Sequence, residues 1–224
     1  MHRRTALSVS AAVLIAAAPL LTACGSDAHP GAAAVVGGQR IEVSSVQSEV
    51  KDVRTAQAAS PQSAQLIKAT GDLTRQKLHG MIFDRVVAKV ARENGVTATR
   101  AEIQQARAAF VQQSGGEEQL AAALLQQQSV APDQIDDVAR RAVLMDKIAA
   151  KLGATNSPEG QQRLTEAFSR ASKELRIDVN PRFGAWDNDK ITLATYNAPW
   201  LRQMSGGAEA GGAGAGGAAV ESGS

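Results

Sequence analysis

The sequence predicts a mainly α domain, bounded by a small β-hairpin near its start and a single strand near its end. Three observations carry that prediction. Several stretches repeat apolar residues at helical spacing between capping and breaking residues, a Gly-Gly pair joins two β-capable runs ahead of them, and alternation of period two returns only after the last of them.

The chain opens on an export signal. Met1, His2, Arg3 and Arg4 form a short basic region, an apolar run follows from Ala6 to about Leu21, and Leu21-Thr22-Ala23-Cys24 closes it. That ending has the form of a lipobox. Small residues at Thr22 and Ala23 let the extended chain enter a signal peptidase cleft, and the Cys24 thiol is the group that takes a diacylglycerol. Pro19 interrupts the apolar run, which is shorter than the roughly 20 residues a spanning helix needs. A plain secretory signal or an uncleaved anchor is the alternative. Arg3-Arg4-Thr5-Ala6-Leu7 loosely resembles a twin-arginine signal, so both Sec and twin-arginine export stay open. The expectation is a chain anchored at the extracytoplasmic face of the cell membrane through the lipid on Cys24.

Composition agrees with this reading. Cys24 is the only cysteine, so no disulfide can form within one chain, and an odd thiol in an exported protein is accounted for by acylation. Of 24 Lys and Arg, two leave with the signal, whereas none of the 22 Asp and Glu precedes Cys24. The mature chain is therefore formally neutral, with no overall electrostatic reason to bind nucleic acid. Residues 24–32 read as a polar tether. Residues 201–224 read as a disordered tail, almost wholly Gly, Ala and Ser from Ser205 onward, too poor in apolar groups to order itself. One domain is expected over residues 33–200.

Within that domain, Ala34-Val35-Val36-Gly37-Gly38-Gln39-Arg40-Ile41 is a hairpin signal. Ser44-Ser45-Val46-Gln47 then has the form of a capping box, which predicts a helix with Val46, Val50 and Val53 on one stripe, ended at Ser60-Pro61. The longest helix is expected over residues 72–93, stopped by Asn94-Gly95. Leu78, Ile82, Phe83, Val86 and Val90 share its apolar face, opposite Lys77, Asp84 and Arg85. Two residues depart from this division. His79 falls within the apolar face, as a core histidine with a hydrogen-bond partner or as a switch or ligand. Met81 falls on the polar face, either as an isolated exposed methionine or as a flexible thioether suited to promiscuous apolar binding; it is the candidate peptide-binding residue.

Thr99-Arg100-Ala101-Glu102 is a second capping box, opening a helix with Ile103, Ala106 and Phe110 inward and Ser114-Gly115-Gly116 after it. A short Leu120/Leu124 helix follows. Pro132 opens the next, running to Gly153, with Ile135, Val138, Ala142, Met145, Ala149 and Leu152 as its stripe and Ile148 beside it. Asp136-Asp137 and Arg140-Arg141 are spaced to pair at i, i+4 on its outer face, a solvated surface rather than an acid/base site. Ser157-Pro158 caps the last helix, with Leu164, Phe168, Ala171 and Leu175 inward. Alternation begins at Ile177 and Val179, and turn residues from Asn180 lead to Phe183 and Trp186, read as hydrophobic anchors or as binding residues. The strands over 35–43 and 177–179 are too short to stand alone and are expected to share one small sheet.

Taken together, the lipobox, the Ala-Val-Val-Gly-Gly-Gln-Arg-Ile hairpin, the connector from Gly95 through Thr99 to Ile103 and the terminal Val179-Asn180-Pro181-Arg182-Phe183-Gly184 resemble the SurA N-terminal-domain family. That family is related to the peptide-binding module of trigger factor and to the foldase PrsA. The resemblance implies a SurA N-terminal-like helical domain that acts as a chaperone, with unfolded or nascent exported proteins as partners. Several relatives carry a parvulin prolyl isomerase inserted before the last helix; here only residues 153–157 occupy that place, which implies the chaperone module without the isomerase. No phosphate-binding loop, nucleophile elbow or metal-spaced His/Cys cluster can be quoted, so no catalytic residue, metal or cofactor is expected. The alternatives are a non-catalytic envelope scaffold with one dedicated partner, and a prolyl isomerase acting through an unrecognised site.

Overall fold

Gly37 and Gly38 reverse the chain at φ of 58° and 76°, left-handed values that a two-residue hairpin turn requires and glycine adopts without strain. In the computed structural model, which describes residues 30–154 and 157–195, this turn joins β1 (Ala32–Val36) to β2 (Gln39–Glu42), with Val36 opposite Gln39. Strand β3 (Asp178–Val179) lies on the other side of β1, Ala34 opposite Val179, giving the antiparallel order β2-β1-β3. The two ends of the domain thus share one sheet, as their shortness predicts. Strand β1 starts inside the stretch read as tether, with Ala32 fully buried. The stretch read as an export signal, Cys24 and the stretch read as a tail, 201–224, lie outside the described residues.

Seven α-helices lie among the described residues. Helix α1 (Val43–Ala59) follows β2 without a gap. Its first N–H, that of Val43, donates to the Gly31 carbonyl at 2.8 Å. The helix thereby begins with Glu42 at the cap position and no side-chain cap, so the expected Ser44/Gln47 box does not form. Helix α2 (Ser63–Ala69) is too short to show a period and has no counterpart among the elements the sequence predicts. Helix α3 (Leu73–Glu93) matches the expected long helix and ends where Asn94 and Gly95 break it. Helix α4 (Arg100–Ser114) carries the complete Thr99/Glu102 capping box, and α5 (Glu117–Gln128) the expected Leu120 and Leu124. A 3-10 turn, Pro132–Gln134, leads into α6 (Ile135–Lys151), and Ser157 caps α7 (Pro158–Glu174) by accepting from the Gly160 N–H.

Helix α3 is the centre of the molecule. Leu78, Ile82, Val86 and Val90 are wholly buried, against Val36 and Ile41 of the hairpin, Val46 of α1, Ile148 of α6, and Phe168 and Ala171 of α7. Each such aliphatic side chain contributes about 1.5–3 kcal/mol by leaving water. Phe83 stacks on Phe168 with ring centroids 6.0 Å apart. A second cluster joins Val53, Leu66, Leu73 and Leu125, and a third joins Leu120, Leu124 and Ile135, with Phe110 partly buried against it. Helix α4 itself buries no residue completely, because it covers the outside of this third cluster.

Helix α6 is rotated from its expected setting. Its buried line is Ile135, Ala139 and Ile148, while Val138 and Ala142 are only partly covered. Ile148, placed beside the stripe by periodicity, faces the core. The charges regroup accordingly. Arg140 pairs with Asp137 at i, i+3, but Asp136 pairs with Arg107 of α4, and Arg141 turns to Asp84 of α3. One i, i+3 pair within α6 and two partners on neighbouring helices replace the expected i, i+4 pairs.

The chain end holds a second sheet that the sequence pattern does not predict. Strands β4 (Ala185–Asp187) and β5 (Thr192–Ala194) form an antiparallel hairpin, Trp186 opposite Leu193. Gly184 precedes it at φ 130°, where a Cβ would stand 2.3 Å from the Ala194 carbonyl oxygen. Glycine is what lets these two backbones close.

A polar cleft along helix α3

The face of α3 opposite the sheet is a wall rather than an open surface. A cleft of about 700 Å³ runs along it from Asp72 to Asp84. Glu49 of α1, beside Lys77, and residues 69–70 also line it. The end of α5, Gln126 to Gln128, with Ser129, Val130 and Gln134 of the connection to α6, forms the facing wall, and Asp137, Val138 and Arg141 of α6 and Thr192 and Leu193 of β5 complete it.

Each wall is held by contacts that are long-range in sequence. Arg54 of α1 donates to Gln57 Oε1 at 2.8 Å, to Thr70 Oγ1 at 2.7 Å and to the Thr70 carbonyl at 2.8 Å, with Gln57 wholly buried behind them. This fixes the α2–α3 corner. Arg75 of α3 reaches across to the carbonyls of Phe183 (3.0 Å) and Leu193 (3.3 Å), tying the β4–β5 hairpin to the rim. Trp186 donates its indole N–H to Ser172 Oγ at 2.8 Å, so the hairpin is also bonded to α7. Phe183 is buried and Trp186 half-buried, and both act as the anchors expected of them.

The electrostatics centre on a buried glutamine. Gln134 Oε1 accepts from Lys77 Nζ at 2.6 Å and from the Ala131 N–H at 3.2 Å, while its Nε2 donates to Glu49 Oε2 at 2.6 Å. Lys77 and Glu49 stand 4.0 Å apart beside it. Burial pushes the Lys77 ammonium below its ordinary range and the Glu49 carboxyl above its own, and their mutual attraction opposes both shifts. At the far end, Arg141 grips Asp84 with two parallel hydrogen bonds.

His79 sits between Phe83 and Trp186, ring centroids 6.2 and 5.6 Å away, and its Nε2–H donates to the Ile191 carbonyl at 3.3 Å. The acceptor fixes the tautomer, and the residue is the core-edge histidine with a partner that its position suggested. Met81 is not the exposed misfit that periodicity made of it. It is partly buried against the central core and forms part of the cleft wall, because α6 and the end of α5 stand across the cleft from the polar face of α3. The periodicity also put Lys77 and Asp84 on an outer face, and nothing local signals their partners 57 residues away.

Chemically the lining offers binding. Gln76, Gln126, Gln127 and Gln128 supply paired donors and acceptors, and Met81, Val130, Val138 and Leu193 supply apolar ground between them. Among the described residues there is no group of three side chains that could hold a metal ion, and no helix is long and apolar enough to cross a membrane.

A family model for the SurA-like N-terminal domain matches residues 2–149. The match runs from residue 2 through both hairpin strands and α1–α5 into the last turns of α6, and stops short of α7 and β3–β5. Neither the curated proteins nor the solved structures contain a match to the chain.

Proposed function

The chain belongs to the SurA-like N-terminal domain family, and from that premise we propose that it is a lipid-anchored extracytoplasmic chaperone, holding unfolded exported polypeptides in the cleft along α3. The family match over residues 2–149 is the observation that carries the reading. The cleft chemistry suits it. An unfolded segment presents backbone N–H and C=O groups together with scattered apolar side chains, and the glutamines and the four apolar residues of the lining can meet both without demanding one sequence. The Cys24 lipid keeps the holder at the membrane where exported chains emerge. Its action is non-catalytic: α6 and α7 are joined through residues 152–157 alone, where several relatives carry an isomerase.

The test is aggregation of a reduced or heat-unfolded secreted protein in the presence of the mature chain. The expected outcome is slower aggregation at near-stoichiometric ratios, with prolyl isomerisation of a test peptide left at its uncatalysed rate. Acceleration of that isomerisation well beyond background would overturn the non-catalytic reading.

One observation favours a second reading, a scaffold with a single dedicated partner. Ile67, at 43 % exposure, is the one large apolar side chain strongly exposed among the described residues, whereas a general holder profits from a broad apolar surface. Failure to protect any of several unrelated clients, with capture of one envelope protein by crosslinking in intact cells, is the outcome that selects it.

A further inference from the structure

We propose that residues 196–204 of this chain, Tyr196-Asn197-Ala198-Pro199-Trp200-Leu201-Arg202-Gln203-Met204, fill the α3 cleft of the same molecule as a built-in occupant that a client must displace. The point of exit is the first support. Thr192 and Leu193 of β5 line the cleft, and β5 ends at Ala194, so the residues after it start from the cleft rim. Length is sufficient: the lining stretch of α3, Asp72 to Asp84, is about 18 Å long at 1.5 Å per residue, and nine extended residues reach about 30 Å.

Composition sets this segment apart from the remainder of the tail. It holds the only tyrosine of the chain and one of its two tryptophans, whereas residues 205–224 are Gly, Ala and Ser with two glutamates and one valine. Trp200 combines a large apolar body with an indole N–H, the combination that a lining of methionine, valine and glutamine side chains can satisfy. Charge agrees. Four carboxylates and three Lys or Arg side chains line the cleft, and the segment brings Arg202 and no acid. Because the segment is tethered at the rim, its effective concentration is of millimolar order, and individually weak contacts suffice to keep it docked. A client then binds with an apparent affinity lowered by the docked fraction. That consequence rests on the holding function proposed above; the docking itself does not.

The experiment places a photoreactive benzoylphenylalanine in the full mature chain at Gln76 or at Gln127, exposed lining positions on opposite walls, and at Ile67 as an exposed control outside the cleft. Irradiation in dilute solution, followed by digestion and mass spectrometry, should give crosslinks within one molecule from both lining positions into residues 196–204, and none from Ile67. Trp200→Ala should lower their yield at least fivefold. Crosslinks that are missing from both lining positions, that join two molecules, or that keep their yield in Trp200→Ala would each overturn the proposal. A chain that crosslinks as expected yet protects no unfolded protein would remove the proposed function and leave the docking standing.

Discussion

Arg141 and Asp84 meet across 57 residues of sequence, Nε to Oδ1 at 2.5 Å and Nη2 to Oδ2 at 2.9 Å, and so pin α6 to α3 at the end of the cleft. Both side chains keep about a third or more of their surface, at 32 % and 45 % exposure, so solvent screens the pair. The two-pronged geometry places it near the top of the exposed range. A double-mutant cycle with Asp84→Asn and Arg141→Gln should give a coupling energy of about 0.5–1 kcal/mol in urea unfolding. A coupling indistinguishable from zero would mean that packing alone sets the α3–α6 contact.

Phe168 is 5 % exposed and stacks on Phe83, joining α7 to α3 where the central core meets the cleft-bearing helix. Phe168→Ala removes most of a large buried side chain and leaves a cavity that the surrounding Leu, Val and Ala residues cannot refill. The expected loss is about 3–5 kcal/mol. Denaturant unfolding of the mature chain measures it, and an unchanged midpoint would contradict the packing of α7 on α3.

Legibility in the sequence divides by distance along the chain. The Gly37-Gly38 turn, the Thr99/Glu102 box and the Ser157-Pro158 start were legible because each is settled by residues within four positions of one another. The Ser44/Gln47 box was equally well formed as a pattern, and failed because the Gly31 carbonyl, twelve residues away, takes the Val43 N–H first. Hairpin β4–β5 has no alternation long enough to notice, and is held from outside by Arg75 and Ser172. The cleft was illegible for the same reason. Its walls come from α1, α3, the end of α5, the α5–α6 connection, α6 and β5, and the pattern that marked Lys77, Met81 and Asp84 as solvent-facing carries no information about which element will face them.

Glu102 offers a test by pH. Lys147 Nζ at 2.5 Å, then the Thr99 N–H at 2.8 Å and the Thr99 hydroxyl at 2.9 Å, hold its carboxyl down at about 2. A depressed carboxylate contributes stability that is fully present above the ordinary value of 4.5 and is lost as pH falls toward about 2. Carboxyl-carbon NMR should therefore show Glu102 titrating well below the ordinary value of 4.5. Lys147→Ala should bring it back toward 4.5, and a normal titration in the wild-type chain would remove the cap-and-lysine arrangement.

Cys24 lies outside the described residues, and its role is tested in cells. If the mature protein begins at an acylated Cys24, Cys24→Ala should shift the chain from the membrane fraction to a soluble or secreted one. Mass spectrometry of the wild-type N-terminus should find a lipid on that residue. A mutant that stays membrane-bound and is processed at the wild-type rate would sink the anchor.

Met81 is where fold and proposed function can be separated. Its side chain is partly buried against the central core and also forms cleft wall, so a substitution there acts on packing and on binding together. Met81→Leu keeps the volume and apolarity and should cost less than about 1.5 kcal/mol. Met81→Glu adds a carboxylate to a wall that already carries Asp84 and Glu49, and should weaken contacts with apolar client segments. With helicity by circular dichroism unchanged in both variants, the protein concentration giving half-maximal protection from aggregation should rise at least threefold for Met81→Glu and stay within a factor of two for Met81→Leu. Threefold corresponds to about 0.65 kcal/mol of binding free energy, in scale for a single replaceable contact in a promiscuous site. Equal protection by wild type and Met81→Glu would take Met81 out of the client surface while leaving the rest of the cleft in place; loss in both variants would mean that the side chain matters for the wall's packing and not for the client.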